Sequence, residues 1–197
     1  WYNELMIRGI IFDCFGVLTT DGWLQFREEH FKEGTRGYGE ISQLNHQADI
    51  GYITHDEFMQ AIADLSHIDV DEVKKTLEQR SPNNGLFDYI RDELKPNYKI
   101  GLLSNASDDW TGELFRPDQV ALFDEKVFSF QIGVDKPHAA MYETAATRLG
   151  LLPEECIFID DREGFVTGAK DVGMQAFVFE TNALTKQKID EIIALSN

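Results

Sequence analysis

The chain alternates between short runs of almost entirely apolar residues and longer segments in which an apolar residue recurs every three or four positions. A run that is apolar throughout is typical of a strand buried on both faces, as in a parallel sheet. The predicted strands cover residues 7–13, 98–104, 156–160 and 175–179, with a weaker fifth at 127–130. The helical periodicity predicts helices over residues 86–95, 108–115, 139–149, 164–172 and 183–195.

This alternation of strands and helices predicts the fold class. Strands joined by helices form right-handed crossovers, and the result is a parallel sheet covered by helices on both faces. We therefore expect an α/β protein with a Rossmann-like, three-layer core. Ligands of such sheets bind outside the carboxyl ends of the strands, so functional side chains are expected along that edge.

The interval from residue 20 to residue 81 breaks the alternation, because it contains helical patterns and no convincing strand. Thr54 and Glu57 form a capping-box pattern at the start of one of these helices. The interval predicts a small α-helical cap domain (residues 20–81) inserted into an α/β core (residues 1–19 and 82–197). Because its two ends attach at adjacent points, we expect the cap to open and close over the rim of the sheet.

Composition narrows the choice of partners and location. The 197 residues include 35 acidic and 18 basic side chains, which gives a formal net charge of −17. This excess argues against nucleic acid or a membrane surface as a partner. No apolar run is long enough to span a bilayer, and the N-terminus lacks the basic-then-apolar pattern of a signal peptide. Residues 1–5 precede Met6, the expected start, and are set aside as a leader. Cys14 and Cys156 lie in apolar runs, so we expect reduced thiols and a cytoplasmic protein.

Polar residues recur where the predicted strands end, and packing alone does not explain them. They are Asp13, Ser104, Asn105, Lys136, Asp160 and Asp161. Three carboxylates at one edge of a sheet repel one another unless a cation neutralises them, and Mg²⁺ prefers such oxygen ligands. The ammonium and the hydroxyl and amide donors form an anion pocket beside the metal. The set therefore predicts phosphoryl transfer, with Asp13 attacking phosphorus.

Four motifs carry a resemblance to a known family: "FDCFGVL", "LLSNAS", "DKPHAAMYETAATRLGL" and "FIDDREGFVTGAKDVGM". In order and spacing they resemble the haloacid dehalogenase superfamily of hydrolases, most of whose members are phosphatases. The second half is similar to sugar-phosphate phosphatases and to the phosphatase domain of soluble epoxide hydrolases. The resemblance implies that Asp13 is the nucleophile, that Ser104 and Asn105 hold phosphoryl oxygens, and that Lys136 balances charge.

The resemblance also implies a magnesium site formed by Asp13, Asp160, Asp161 and the main-chain carbonyl of Phe15. The function that it implies is magnesium-dependent hydrolysis of a small phosphomonoester, a phosphorylated metabolite, through an aspartyl-phosphate intermediate.

Phe15 departs from the pattern of the family's phosphatases, which usually carry an aspartate at this position as general acid and base. Phenylalanine transfers no proton, and loss of a positioned acid typically lowers the rate by roughly 10²–10⁴-fold. Asp21 is the nearest spare carboxylate, although its more ordinary role is that of a helix N-cap.

Two alternatives stay open because of Phe15. The 2-haloacid dehalogenases also have an aromatic residue at this position, and their aspartate attacks carbon without a metal. Their last motif lacks the metal-binding aspartate pair, so the intact Asp160–Asp161 pair favours a phosphatase. The third interpretation is a catalytically weak, ligand-binding relative in which Phe15 marks lost activity.

Overall fold

The computed structural model describes residues 6–77 and 80–196, so residues 1–5 lie outside the described part of the chain. At its centre is a parallel sheet of five strands. They are β1 (Gly9–Phe12), β2 (Lys99–Ser104), β3 (Glu125–Phe128), β4 (Cys156–Asp160) and β5 (Gln175–Val178). The strand order is β3-β2-β1-β4-β5, so β1 lies in the middle and pairs with β2 and β4.

Helices occupy most of the remaining described chain. Those between β1 and β2 are α1 (Gly22–His30), α2 (Arg36–Asp49), α3 (His55–Ser66), α4 (Val70–Leu77) and α5 (Asn84–Tyr89), which continues as a π-helical turn (Ile90–Leu94). Those after β2 are α6 (Thr111–Leu114), α7 (Pro117–Val120), α8 (Ser129–Ile132), α9 (Ala139–Arg148), α10 (Glu163–Asp171) and α11 (Asn182–Leu195). Within the described residues, no helix combines the length and apolar character that crossing a bilayer requires.

The alternating side chains of β1 pack into two clusters on opposite faces of the sheet. Ile10 and Phe12 pack on the face covered by α5 and α11, where Ile189 is buried. Ile11 packs on the other face with Met141 of α9. Burial on both faces is the reason that the strand is apolar at every position. The predicted α/β, three-layer fold is confirmed.

The helices α1–α4 enclose an apolar cluster of their own, to which Phe26, Ile41 and Phe58 contribute. The predicted capping box at the start of α3 is present. The Thr54 N–H donates to Glu57 Oε2 at 2.8 Å, and the Glu57 N–H donates to Thr54 Oγ1 at 3.2 Å. These helices therefore pack as a layer of their own, outside the sheet.

Some predicted boundaries are wrong. The fifth strand starts earlier than predicted and ends at Phe128, because the chain turns into α8 at Ser129. The helix predicted over residues 108–115 is reduced to α6, since Asp109 Oδ1 accepts from the Thr111 N–H at 3.0 Å and holds a turn before it. The short helices α7 and α8 were not predicted, because four residues are too few to show a helical period.

Cys14 and Cys156 are buried and unpaired. Burial is the main cause that raises the pKa of both thiols, that of Cys156 to about 12. Neither sulfur is therefore an activated nucleophile.

Candidate active site

The polar residues at the strand ends lie at one edge of the sheet. Asp13 directly follows β1, Ser104 is the last residue of β2, and Asp160 is the last residue of β4. Lys136 reaches this edge from the loop between α8 and α9. Because β1 lies between β2 and β4, Asp13 occupies the middle of the edge.

Lys136 joins two of the carboxylates. Its Nζ atom donates to Asp13 Oδ1 and to Asp160 Oδ2, both at 2.6 Å, and to the Leu103 carbonyl at 3.2 Å. Burial tends to lower the pKa of Lys136, but the two carboxylates outweigh burial and raise this pKa above its usual range. The ammonium is therefore charged and holds both aspartates in place.

Asn105 positions the main chain of Lys136. Asn105 Oδ1 accepts from the Lys136 N–H at 2.8 Å, and Asn105 Nδ2 donates to the Lys136 carbonyl at 3.2 Å. Ser104 is fully buried, and its hydroxyl lies 3.4 Å from the Asn105 carbonyl. Asn105 lines the cavity above the cluster, whereas Ser104 is not among the described lining residues. Their roles in phosphate binding stay predictions.

Asp13, Asp160 and Asp161 form a group of oxygen atoms that could hold a metal ion. Each offers one carboxylate oxygen, and the three oxygens lie within 4.8 Å of one another. Gly16 makes room for this group, because its φ is +90° and a Cβ there would overlap the Asp161 carboxylate. Asp161 Oδ1 is buried with no hydrogen-bond partner among the described residues. An orphaned buried oxygen beside two others fits a hard divalent cation.

The pKa values of two carboxyl groups in this cluster are raised, mainly by burial and further by repulsion between neighbouring carboxylates. Burial raises the pKa of Asp13 to about 8, with repulsion from Asp160 adding to it and Lys136 opposing it. Burial, and then repulsion from Asp160, raises the pKa of Asp161 to about 6. One ammonium does not balance three carboxylates, of which two are buried and the third is half-buried, and a divalent cation would.

A cavity lies between this cluster and the layer of helices α1–α4, which we call the cap helices. Asp13, Asn105 and Lys136 line its core wall. Its cap wall includes Trp23, Arg27, Asn45, Asp49, His55 and Arg80. The cluster therefore faces a space that is enclosed partly by the sheet edge and partly by α1–α3 and the segment after α4.

Histidines of two cap helices form hydrogen bonds with core loops beside this cavity. His46 Nδ1 of α2 lies 2.7 Å from Asp135 Oδ2, next to Lys136 in the sequence. His55 Nδ1 of α3 lies 3.1 Å from Ser107 Oγ, in the loop after β2. The contact of His46 is exposed, whereas the contact of His55 is half-buried.

Phe15 lines the cavity, and its ring lies against the guanidinium of Arg80 at 4.6 Å. Asp21 is the N-cap of α1, as predicted, since its Oδ1 accepts from the Leu24 N–H at 3.1 Å. Asp21 Oδ2 accepts from Arg162 Nη2 at 3.2 Å. Both oxygens of this spare carboxylate are therefore engaged in structural contacts.

Asp49, His55 and Arg80 line the cavity, although the sequence did not indicate them as site residues. Asp49 is the last residue of α2, and His55 follows the predicted N-cap at Thr54. No motif spacing relates these residues to the strand ends. The sequence placed these residues in the predicted cap, but it did not indicate the direction in which their side chains point.

The model of the haloacid dehalogenase-like hydrolase family matches residues 7–173. The chain belongs to the haloacid dehalogenase-like hydrolases. The match extends from β1 to the turn after α10 and includes the cap helices. The resemblance drawn from the four motifs is therefore confirmed, and so is the assignment of this hydrolase as an enzyme.

Two curated relatives align with nearly the whole chain. The D-ribitol-5-phosphate phosphatase of Bacteroides thetaiotaomicron is 25% identical over 95% of this chain and 99% of its own length. The drimenol cyclase of Aspergillus calidoustus is 25% identical over 95% of this chain. This chain spans only 37% of the cyclase's length.

A solved structure shares the fold of this hydrolase. It is a haloacid dehalogenase family enzyme from Bacteroides thetaiotaomicron in complex with magnesium and inorganic phosphate. The TM-score is 0.70 at 22% identity, over 88% of this chain and 94% of the other.

Proposed function

We propose that this haloacid dehalogenase-like hydrolase is a magnesium-dependent phosphatase that acts on a small phosphomonoester through an aspartyl-phosphate. The observation that carries the proposal is the cluster of Asp13, Lys136, Asp160 and Asp161, of which Asp13 and Lys136 line the cavity. It combines a nucleophile, a fixed positive charge and a set of oxygen ligands, which are the parts that phosphoryl transfer needs.

In the proposed reaction, Asp13 attacks phosphorus with one carboxylate oxygen while Lys136 holds the carboxylate in place. The ammonium also reduces the repulsion between this carboxylate and the anionic phosphoryl group. Ser104 and Asn105 are assigned to the phosphoryl oxygens. Asn105 has a second task, because its side chain holds both main-chain polar groups of Lys136.

Asp13, Asp160, Asp161 and the main-chain carbonyl of Phe15 would hold the magnesium ion. Once bound, the ion supplies positive charge beside the phosphoryl oxygens and relieves the repulsion among the carboxylates. Asp160 is already oriented for this role, because its Oδ1 accepts from the Arg162 N–H at 2.9 Å and its Oδ2 from Lys136.

We assign residues 20–81 to a cap domain that acts as a lid on the core formed by residues 1–19 and 82–197. A closed lid excludes bulk water while Asp13 attacks, and opening then admits a water molecule to the aspartyl-phosphate. The contacts of His46 with Asp135 and of His55 with Ser107 support this arrangement, since both join the cap to loops that border the cavity.

A small phosphorylated metabolite is the proposed substrate. The net charge of −17 disfavours anions in general, so a local positive site is required. Lys136, Arg27 and Arg80 line the cavity and supply it. The near full-length match to a D-ribitol-5-phosphate phosphatase makes polyol and sugar phosphates the first class to assay. We also propose a cytoplasmic location, which is consistent with two buried, unpaired thiols.

Phe15 favours one other activity, the attack of Asp13 on the carbon of a 2-haloacid. The aspartate pair opposes this alternative. Without a cation, Asp160 and Asp161 would place further negative charge beside the nucleophile, and such charge raises the pKa of Asp13. In a phosphatase, the same two aspartates would serve as magnesium ligands.

Hydrolysis of p-nitrophenyl phosphate tests the proposal. We expect turnover in the presence of Mg²⁺, loss of turnover with a chelator, and recovery when Mg²⁺ is returned. Asp13→Asn should lower the rate by at least about 10³-fold, because it removes the nucleophile. Asp64→Asn, an exposed carboxylate of α3, is the matched control and should leave the rate unchanged.

A parallel assay tests the competing activity. Chloride release from 2-chloropropionate in the presence of a chelator would establish a dehalogenase instead. If neither phosphate esters nor haloacids are turned over, the proposed function is wrong and the ligand-binding interpretation is favoured.

A further inference from the structure

The proposed first displacement requires a proton that Phe15 cannot supply. When the P–O bond of an alkyl ester breaks, its electron pair stays on the leaving oxygen, which departs slowly unless it is protonated. Lys136 is held by Asp13 and Asp160, both at 2.6 Å. The donor must therefore be another residue that faces the cavity.

Asp49 occupies the appropriate wall of the cavity. Phosphoryl transfer proceeds with the attacking and leaving oxygens roughly in line. Because Asp13 attacks from the core wall, the leaving oxygen points away from the sheet edge, toward the cap. Asp49 is the last residue of α2 and lines the cap wall of the same cavity.

The surroundings of Asp49 favour a protonated carboxyl group. Burial and then repulsion from Asp135 raise the pKa of Asp49 to about 7, although Asn45, Arg162 and His46 oppose the shift. The negative end of the α2 dipole acts in the same direction as burial. Asn45 Nδ2 donates to Asp49 Oδ2 at 2.8 Å and holds the carboxyl group in one orientation. A proton donor for neutral pH needs a pKa of this kind.

Two other titratable cap side chains face the cavity, and neither suits the task as well. Asp21 uses one oxygen to cap α1 and the other to accept from Arg162. His55 is hydrogen-bonded to Ser107, and burial lowers the pKa of its ring, which disfavours the protonated form that a donor needs.

We propose that Asp49 is the general acid of this enzyme, supplied by the cap in place of the residue that Phe15 replaces. The inference rests on the proposed phosphatase function. Asp13 forms a bond to phosphorus, the P–O bond to the leaving group breaks, and its electron pair takes the proton of Asp49. The products of this step are an alcohol, an aspartyl-phosphate and the Asp49 carboxylate.

The second displacement restores the starting state. A water molecule attacks phosphorus and gives its proton to the Asp49 carboxylate. The bond between phosphorus and Asp13 breaks, and its electron pair returns to the Asp13 carboxylate. Inorganic phosphate leaves, and both aspartates are ready for the next cycle.

Two esters of similar shape test the inference. Phenol is a much weaker acid than p-nitrophenol, so phenyl phosphate needs a proton donor far more than p-nitrophenyl phosphate does. The quantity to compare is kcat/KM with Mg²⁺, because it reports the first displacement. Asp49→Asn should lower kcat/KM by about 10²-fold for phenyl phosphate and by less than about 5-fold for p-nitrophenyl phosphate.

Two further variants separate proton donation from structure. Asp64→Asn is the matched control. Asp64 accepts a hydrogen bond from Gln60 Nε2 at 2.9 Å, and Asp49 accepts one from Asn45 with the same spacing of four residues. Since Asp64 is exposed on α3, both esters should be unaffected. Asp49→Glu keeps a carboxylic acid and should recover part of the loss on phenyl phosphate.

The outcomes separate this inference from the proposed function. An Asp49→Asn enzyme that loses the same factor on both esters, or nothing on either, would overturn the role of Asp49 while the phosphatase stands. If the unmodified protein turns over neither ester with Mg²⁺, the proposed function itself fails and this inference fails with it.

Discussion

The two walls of the cavity are constructed differently. At the core wall, Asp13 directly follows β1, Asp160 ends the adjacent β4, and both accept from Lys136 at 2.6 Å, so the main chain of the sheet places the charged atoms. On the cap wall, Asp49 and His55 stand on helices that touch the core through individual side-chain contacts.

This difference separates two tasks. The core wall concentrates charge in a buried site, where a change of one group leaves its partners unbalanced. In the proposed reaction the cap wall faces the leaving group of the substrate, and its side chains can vary without loss of the charge cluster. Changes to the core wall should therefore have large effects on stability and activity, and changes to the cap wall smaller and more selective ones.

The largest effect is expected for Lys136→Met. It leaves Asp13 and Asp160 buried without their cation, and we expect the free energy of unfolding to fall by about 3–5 kcal/mol. Urea unfolding measures this change. Lys126→Met removes an ion pair to Asp109 at 2.6 Å whose side chains are 29% and 34% exposed, and it should lower the free energy of unfolding by only about 1 kcal/mol. Equal losses of unfolding free energy in the two variants would contradict the larger contribution that we expect from the core wall.

Gly16→Ala should act on the metal site. The added Cβ would overlap the Asp161 carboxylate, so the Mg²⁺ concentration for half-maximal activity should rise by about 10–100-fold. Gly34→Ala is the matched control, since φ there is +80° and nothing lies within 4 Å of the added Cβ. Both variants should be destabilised by about 1–2 kcal/mol through positive φ. A magnesium requirement that stays the same in Gly16→Ala would be evidence against the proposed ligands.

On the cap wall, Asp49→Asn should stabilise the protein in a pH-dependent way. The pKa of Asp49 rises from 3.8 to about 7 on folding, so the folded state loses stability as pH rises between these values. At pH 4 the free energy of unfolding of the variant should equal that of the unmodified protein. At pH 8 it should be higher by about 1 kcal/mol, which is less than the full shift implies because water in the cavity screens the charge. Thermal unfolding at both pH values measures this difference, and a constant difference would contradict the shift.

The smallest effect is expected for His46→Asn, which removes the contact of α2 with Asp135. This contact is largely exposed, so the free energy of unfolding should change by less than about 1 kcal/mol. A few-fold rise in KM with little change in kcat is expected if the contact favours the closed cap. His67→Asn, on an exposed residue at the end of α3, should change neither parameter. A fall in kcat without a change in KM would argue against a role in closure.

The sequence by itself was sufficient to predict the core of the hydrolase. Apolar runs predicted the strands, and the polar residue after each run was expected at one edge because parallel strands share a direction. Asp13, Asp160 and Lys136 do meet there. The sequence also predicted local hydrogen bonds, such as the Thr54–Glu57 capping box at the start of α3. Four-residue helices such as α7 and α8 are too short to be predicted from a helical period.

Only the tertiary structure decided which cap side chains face the nucleophile. Helical periodicity separates an apolar face from a polar one, but it does not rank the residues of the polar face. Asp49 and Asp64 each accept from an amide four residues earlier, and yet one lines the cavity and the other faces solvent. The packing of α2 and α3 against each other and over the sheet makes that choice, and it depends on contacts between residues far apart in the chain.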